Sequence, residues 1–262
     1  MFYFDGNLHR DNKISLDINS PVWLYGVSVF TTIRIYGHSL SHPLTNWNRH
    51  VRRLKTSISE FEWPMPDWEK IKTEVEDLSK HFPVIRIAIL PDGKEIITGR
   101  NLPENLGEKQ RQGVRGLVLY DDVVKRGISR HKTGNYLPNW LALNMAKKQD
   151  CQEAILTDKQ HHWLETATGN LWGYKKGVWF TPPPGEILPG IARETIIDYA
   201  DFPIEVNQWT EEFVEELEAV AYSNSVVEII PFSEIQMRDK IKKYNPLHPA
   251  YSLLRGVYSK LA

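Results

Sequence analysis

Three short segments carry residue types whose order suits one kind of chemistry. Lys132, in His131-Lys132-Thr133-Gly134-Asn135-Tyr136-Leu137, offers a primary amine. Glu165, thirty-three residues later in Glu165-Thr166-Ala167-Thr168-Gly169-Asn170-Leu171, offers a carboxylate just after an expected strand. Ile187-Leu188-Pro189-Gly190-Ile191-Ala192-Arg193 then opens a helix at a proline-glycine pair. An amine can bond an aldehyde and later move a proton at the reacting carbon. A carboxylate can keep a pyridine nitrogen protonated, so that the ring accepts electrons from that carbon. A helix start offers N–H groups and a favourable dipole to a phosphate. Read together, these are the parts of a site for pyridoxal 5'-phosphate. A lone lysine carries no such message, because lysines mostly sit in water; the order and spacing carry it.

Further residues extend the reading. Gly190, Ile191 and Ala192 stand where phosphate donors are needed, and Ser225 in Tyr222-Ser223-Asn224-Ser225 adds a hydroxyl from a second loop. Asn170 is placed to orient the loop after Glu165, although asparagines in turns usually serve their own backbone.

The elements that must position these groups can be read from periodicity. Residues 2–4 read as a strand turned by Asp5-Gly6-Asn7, and residues 29–36 are rich in β-branched and aromatic types. Trp47, Val51, Leu54 and Ile58 recur at helical spacing over 46–59, and Asp67 caps a second helix running to about 81. Strands are expected at 84–90 and 95–98, joined by Pro91-Asp92-Gly93. Residues 101–112 are polar and without apolar period, and read as surface loop. A strand at 113–120 then leads out of a small α+β domain covering 1–120. The second domain, 121–262, is expected to be larger and β-barrel-like with flanking helices. It has a helix at 138–148, strands at 154–158, 163–165, 171–174 and 178–181, a helix at 191–199, more sheet at 219–223 and 226–231, and a closing helix at 249–261.

Composition narrows the function classes. The 262 residues suffice for a substantial core, and 41% hydrophobic with 25% charged residues describes a globular chain. A net charge of −1 with interspersed signs leaves no broad field to hold a polyanion, so nucleic acid is not an expected partner. No apolar run approaches the roughly 20 residues that cross a bilayer, and the N-terminal stretch lacks an export signal's pattern. A single Cys151 excludes an internal disulfide framework and a multi-cysteine zinc site, and fits a reducing cytoplasm. No metal is expected.

At this point the chain resembles the class IV aminotransferases, the pyridoxal phosphate enzymes of fold type IV. Five ordered segments carry the resemblance: Tyr25-Gly26 with Val29-Phe30-Thr31-Thr32-Ile33-Arg34, His50-Val51-Arg52-Arg53-Leu54, the lysine segment, the glutamate and Leu-Pro-Gly segments, and the serine loop. The resemblance implies an α+β fold of two domains with the active site in the interdomain cleft, and a homodimer. It implies that Lys132 bonds the cofactor aldehyde and that Glu165 bonds the pyridine nitrogen. Arg53, the backbone at Ile191 and Ala192, and Ser225 would hold the phosphate. Tyr136, Asn170 and Asn224 complete the implied cofactor set, and Thr32, Arg34 and Arg86 the substrate set.

Family members include branched-chain aminotransferases, D-amino acid aminotransferases and 4-amino-4-deoxychorismate lyases. Phe30-Thr31-Thr32 looks like the lyase version of a segment that in transaminases usually carries glutamate after the phenylalanine. The interval from Lys132 to Tyr136 is also one residue shorter than in branched-chain transaminases. The expectation is therefore a lyase forming 4-aminobenzoate and pyruvate in folate biosynthesis. A D-amino or branched-chain aminotransferase is the second reading, and a non-catalytic pyridoxal phosphate-binding protein the third. Ser28, Pro91 and Ala192 depart from common family residues. Pro91 stands where many lyases and D-amino acid enzymes carry arginine-glycine, which leaves Arg86 and Arg34 as candidates for a substrate carboxylate.

Overall fold

In the computed structural model, which describes residues 1–262, the β-branched runs near the N-terminus become neighbouring strands. The chain begins with β1 (Phe2–Phe4), β2 (Asn7–His9), α1 (Pro21–Tyr25), β3 (Val29–Arg34), α2 (Trp47–Glu60), α3 (Trp68–Ser79), β4 (Val84–Ile89) and β5 (Glu95–Arg100). The strands form an antiparallel sheet in the order β2-β1-β5-β4-β3. Strand period two sorts its faces. Ile33, Ile85, Ile87, Ile89 and Ile97 pack with Leu54, Ile58, Ile71, Val75 and Leu78 of the two long helices. Each such side chain, fully buried, contributes about 1.5–3 kcal/mol. On the other face, Thr32 lies opposite Arg86 across the β3–β4 pair, and Phe30 lies opposite Ala88. Asp67 caps α3 by accepting from the Glu69 and Lys70 amides, as its position before the apolar repeat suggested.

The free edge of β3 takes an additional short segment. Phe30 N–H donates to the Lys132 carbonyl at 2.8 Å, Gly134 N–H donates to the Ser28 carbonyl at 2.6 Å, and Val29 bridges Thr133. The first structural unit accordingly comprises Met1–Pro103, His131–Asn135 and Ala262. Glu104–Arg130 and Tyr136–Leu261 form the second. Residues 104–120, expected with the first domain, lie in the second unit because their strand pairs with a distant one there.

That unit contains α4 (Leu106–Gln112), β6 (Val114–Leu119), α5 (Leu137–Lys147), β7 (Glu153–Thr157), β8 (Trp163–Thr166), β9 (Asn170–Lys175), β10 (Val178–Thr181), α6 (Ile191–Tyr199), β11 (Ile204–Val206), α7 (Glu211–Glu215), β12 (Ala219–Asn224), β13 (Glu228–Gln236), β14 (Ile241–Lys243) and α8 (Tyr251–Leu261). Its strand order is β11-β10-β9-β12-β13-β6-β7-β8, with β8 pairing again to β9, so β9, β12, β13, β6, β7 and β8 close into a ring. β6 runs parallel to both β13 and β7, with α5 as the crossover between β6 and β7. Trp172, Trp179, Ile196, Tyr251 and Leu254 fill one core cluster.

One expectation is corrected. Residues 101–112 are not all loop, because α4 occupies Leu106–Gln112. Only Leu106 of this helix is buried. The helix is tied down by polar contacts instead: Gln110 Nε2 donates to the Val227 carbonyl, and Arg255 donates to the Gln110 carbonyl. Apolar periodicity has nothing to register in such an element.

Candidate functional site

In the second unit, the residue just before Pro189-Gly190 is gripped on both sides. The backbone N–H of Leu188 donates to Glu165 Oε2 at 3.0 Å, while its carbonyl accepts from Asn170 Nδ2 at 3.0 Å. The other glutamate oxygen, Oε1, accepts from Arg126 Nη1 at 2.8 Å. Glu165 and Asn170 are themselves opposite partners where β8 meets β9, and both are buried. The carboxylate is thus aimed by a guanidinium and an amide, and the helix entrance by the same pair of strand residues.

The entrance leads into α6, whose first turn contains Ile191 and Ala192, with N–H groups that have no carbonyl of their own helix to bond. A Cβ at Gly190 would stand 1.9 Å from Asn170 Oδ1, and one at Gly169 would stand 2.3 Å from the Ser223 carbonyl oxygen. Glycine is required at both by close approach. Asn224 joins this neighbourhood: its Nδ2 donates to the Thr168 carbonyl at 3.2 Å, and its Oδ1 accepts from the Val226 and Val227 amides. Ser225 sits in the turn so fixed. Tyr136 places its hydroxyl 3.5 Å from the Ala167 carbonyl, which also takes a 2.8 Å bond from Asn139 Nδ2.

In the first unit, Lys132 Nζ lies 4.8 Å from the centroid of the Phe30 ring, and Arg86 Cζ lies 3.7 Å from the same ring. Arg34 Cζ lies 4.5 Å from the Tyr36 ring. Thr32, Arg34 and Arg86 share one sheet face, as alternation requires. Thr31 points to the opposite face, toward α2, where its hydroxyl accepts from Arg53 Nη2 at 2.9 Å and lies 2.5 Å from His50 Nδ1. Burial holds His50 well below its ordinary range, and the charges of Arg53 and Lys132 push the same way. A neutral imidazole is the consistent state. His131, next to the lysine, is anchored by Ser57 Oγ at 3.0 Å and lies 3.3 Å from Glu60 Oε2.

The structure therefore gathers Lys132, Arg53, Thr32, Arg34 and Arg86 in the first unit, and Tyr136, Glu165, Asn170, Ile191, Ala192, Asn224 and Ser225 in the second. Sequence reading missed Arg126, Leu188 and the Thr31–His50 pair. No local pattern marks Arg126; its partner is 39 positions away.

The donor set fits a phosphorylated pyridine. A fixed carboxylate suits a ring nitrogen, and a glycine-fronted helix start suits a phosphate. Gly190→Ala tests the second point. Overpacking of this kind costs about 1–3 kcal/mol, and it displaces the entrance that presents Ile191 and Ala192. The expected result is a lower melting temperature together with weaker pyridoxal phosphate binding, measured by absorbance titration.

Comparison with known proteins places the chain among related sequences and folds. The amino-transferase class IV family model matches residues 28–235. The Escherichia coli branched-chain-amino-acid aminotransferase is 26% identical over 89% of this chain and 84% of its own length. The D-alanine aminotransferase of Listeria monocytogenes is 26% identical over 88% of this chain and 86% of its own. The Vibrio harveyi aminodeoxychorismate lyase is 25% identical over 80% and 84%. A solved structure of the Escherichia coli branched-chain enzyme superimposes with a TM-score of 0.82 at 23% identity, covering 99% of this chain and 93% of that one. The pyridoxal phosphate-bound form of a hypothetical Mycobacterium tuberculosis aminotransferase reaches 0.83 at 16% identity, covering 100% and 99%.

Proposed function

The chain belongs to the amino-transferase class IV family of pyridoxal phosphate-dependent enzymes, and we propose that it is the lyase that converts 4-amino-4-deoxychorismate into 4-aminobenzoate and pyruvate for folate biosynthesis. The observation that carries this reading is Thr31, a fully buried hydroxyl bonded by Arg53. A glutamate there, as the resemblance gives for transaminases, would add a negative charge beside that guanidinium. Its replacement by a hydroxyl leaves the first unit's site one charge more positive, which suits a substrate with two carboxylates over an amino acid with one. Arg34 and Arg86, on one sheet face with Thr32, offer a guanidinium to each.

In this scheme Ile191, Ala192, Arg53 and Ser225 hold the phosphate, and Tyr136, Asn170 and Asn224 shape its surroundings. Glu165, oriented by Arg126 and Leu188, would face the ring nitrogen. When bound, the cofactor supplies an electron sink. Lys132 would remove the proton from the amine-bearing carbon of the substrate and return one to the departing enolpyruvyl group, which leaves as pyruvate while the remaining ring becomes aromatic. The rate enhancement rests on groups already aimed before the reaction begins.

An aminotransferase acting on D-amino or branched-chain amino acids is the second reading, favoured by the 26% identity to both kinds of enzyme. The two differ in their need for an acceptor. Purified protein with pyridoxal phosphate and aminodeoxychorismate, without a keto acid, is expected to release 4-aminobenzoate and pyruvate in equal amounts. No product, together with brisk amino-group exchange between amino and keto acids, would move the assignment to the aminotransferase. Cofactor binding without either reaction would leave a non-catalytic binder.

The reading includes a homodimer in the cytoplasm. Supporting the dimer, α1 buries none of its residues, and Ile18, Trp23, Leu24 and Tyr25 expose an apolar surface in the first unit. Sedimentation should give twice the 30.4 kDa chain mass. No helix is long and apolar enough to cross a membrane.

A further inference from the structure

A charged residue type occupies the interior of the second unit without a part in the scheme above. Glu153 opens β7 with 2% of its surface exposed. One carboxylate oxygen accepts from the Ala154 amide at 3.0 Å, and the other takes a short hydrogen bond from the Thr168 hydroxyl. Such a residue is almost never fully buried unless it is paired.

Thr168 is where the two cofactor-binding loops meet. It stands between Glu165 and Asn170, in a turn closed by the Gly169 amide donating to Thr166 Oγ1 at 2.9 Å. Its carbonyl accepts from Asn224, whose own side-chain oxygen fixes the Val226 and Val227 amides that follow Ser225. The Ser223 carbonyl presses so close on Gly169 that no Cβ fits between them. Movement of Thr168 would therefore be felt at Glu165, at Asn170 with its grip on Leu188, and at the Ser225 turn.

We propose that Glu153 is a positioning residue for the cofactor: its carboxylate, through the Thr168 hydroxyl, holds the Glu165–Asn170 turn and the Asn224–Ser225 turn in one fixed arrangement. The inference rests on the pyridoxal phosphate site assigned above and adds to it a group that touches no part of the ligand.

The protonation state of Glu153 then matters. Burial pushes it up to about 7, against the opposing pull of Thr168 and the backbone amides. The other titratable groups facing it are Tyr222 on β12, itself raised well above its ordinary range by burial and then by Glu153, and Lys109 on α4. Above 7 the carboxylate accepts the threonine proton; below 7 the neutral acid is itself a donor, and the direction of the bond reverses. Binding of pyridoxal phosphate should weaken as pH falls through 7. Folding stability has the opposite sign. The folded protein holds the Glu153 proton to higher pH than the unfolded chain does, so this group's effect is to lower stability as pH rises from the ordinary glutamate range to about 7.

The test uses the full chain, stripped of cofactor and titrated with pyridoxal phosphate at pH 6 and pH 8, with melting curves of the stripped protein alongside. Glu153→Gln, which mimics the neutral acid, should bind at pH 8 as the wild type does at pH 6 and lose the wild type's step. Thr168→Val should bind about ten- to a hundredfold more weakly, the range for a lost hydrogen bond to a charged group, and Thr168→Ser should restore binding. Wild-type affinity and an unaltered pH profile in both Glu153→Gln and Thr168→Val would overturn the inference while leaving the cofactor site in place. Unchanged affinity together with an equal loss of melting temperature in the stripped and loaded protein would also overturn it, since that marks a purely structural group. A wild type that binds no pyridoxal phosphate would overturn both this inference and the site beneath it.

Discussion

Lys132→Ala is expected to abolish the visible absorption band that pyridoxal phosphate acquires on condensing with an amine, and to leave the protein folded. The two halves of this expectation come from different atoms. The backbone of Lys132 carries the structural duty, since its carbonyl accepts from Phe30 N–H and so pins the segment to β3; alanine keeps that bond. The side chain contributes a cation above the Phe30 ring, a contact of about 0.5–1 kcal/mol at a partly exposed site. Melting should therefore shift little. Turnover should fall by roughly two to four orders of magnitude, the usual contribution of a proton-transfer group alone. An unchanged spectrum with full activity would remove Lys132 from the scheme and with it the chemical reading of the whole chain.

The parts of the site that could be read from sequence are those encoded locally. Pro189-Gly190 predicts a helix start because proline cannot continue a preceding regular element and glycine is accepted at a helix cap, and α6 begins at Ile191 as expected. The repeat of Leu54 and Ile58 predicts α2 because each turn must present an apolar residue to the sheet. What could not be read is long-range pairing of polar groups. Arg126 meets Glu165 across 39 positions, and Glu153 meets Thr168 across 15. Neither partner announces the other, and a charged residue read in isolation defaults to the surface. Thr31 was noticed for its departure from a family residue, but its partners on α2 became visible only when strand alternation turned it toward that helix. The division of the chain has the same origin. The lysine segment is in the first unit because two backbone hydrogen bonds add it to the edge of β3, and hydrogen bonds to an edge leave no trace in composition.

The Glu165–Arg126 pair yields the prediction with the largest stability effect. The two side chains are 6% and 9% exposed, so removing one partner breaks an ion pair where water cannot replace it. Glu165→Leu should destabilise the protein by about 3–5 kcal/mol, the cost of breaking a buried pair from one side. The Leu188 amide loses its acceptor in the same substitution, and an unsatisfied buried donor adds a penalty of about 1–3 kcal/mol that overlaps with the first. Glu165→Gln keeps the shape and one accepting oxygen, and should cost less by urea denaturation. Activity discriminates differently. Both variants lose the negative charge proposed to face the ring nitrogen, and both should lose roughly two to three orders of magnitude in kcat, as for removal of one preorganised electrostatic group. Arg126→Leu combined with Glu165→Leu separates the two duties. With no charge left unpaired, stability should return toward the wild type, because apolar replacements of a buried pair are often neutral. Turnover should stay low. Recovery of turnover in the double variant would mean that Glu165 serves only to satisfy Arg126 and Leu188, and that the ring nitrogen needs no carboxylate from this chain.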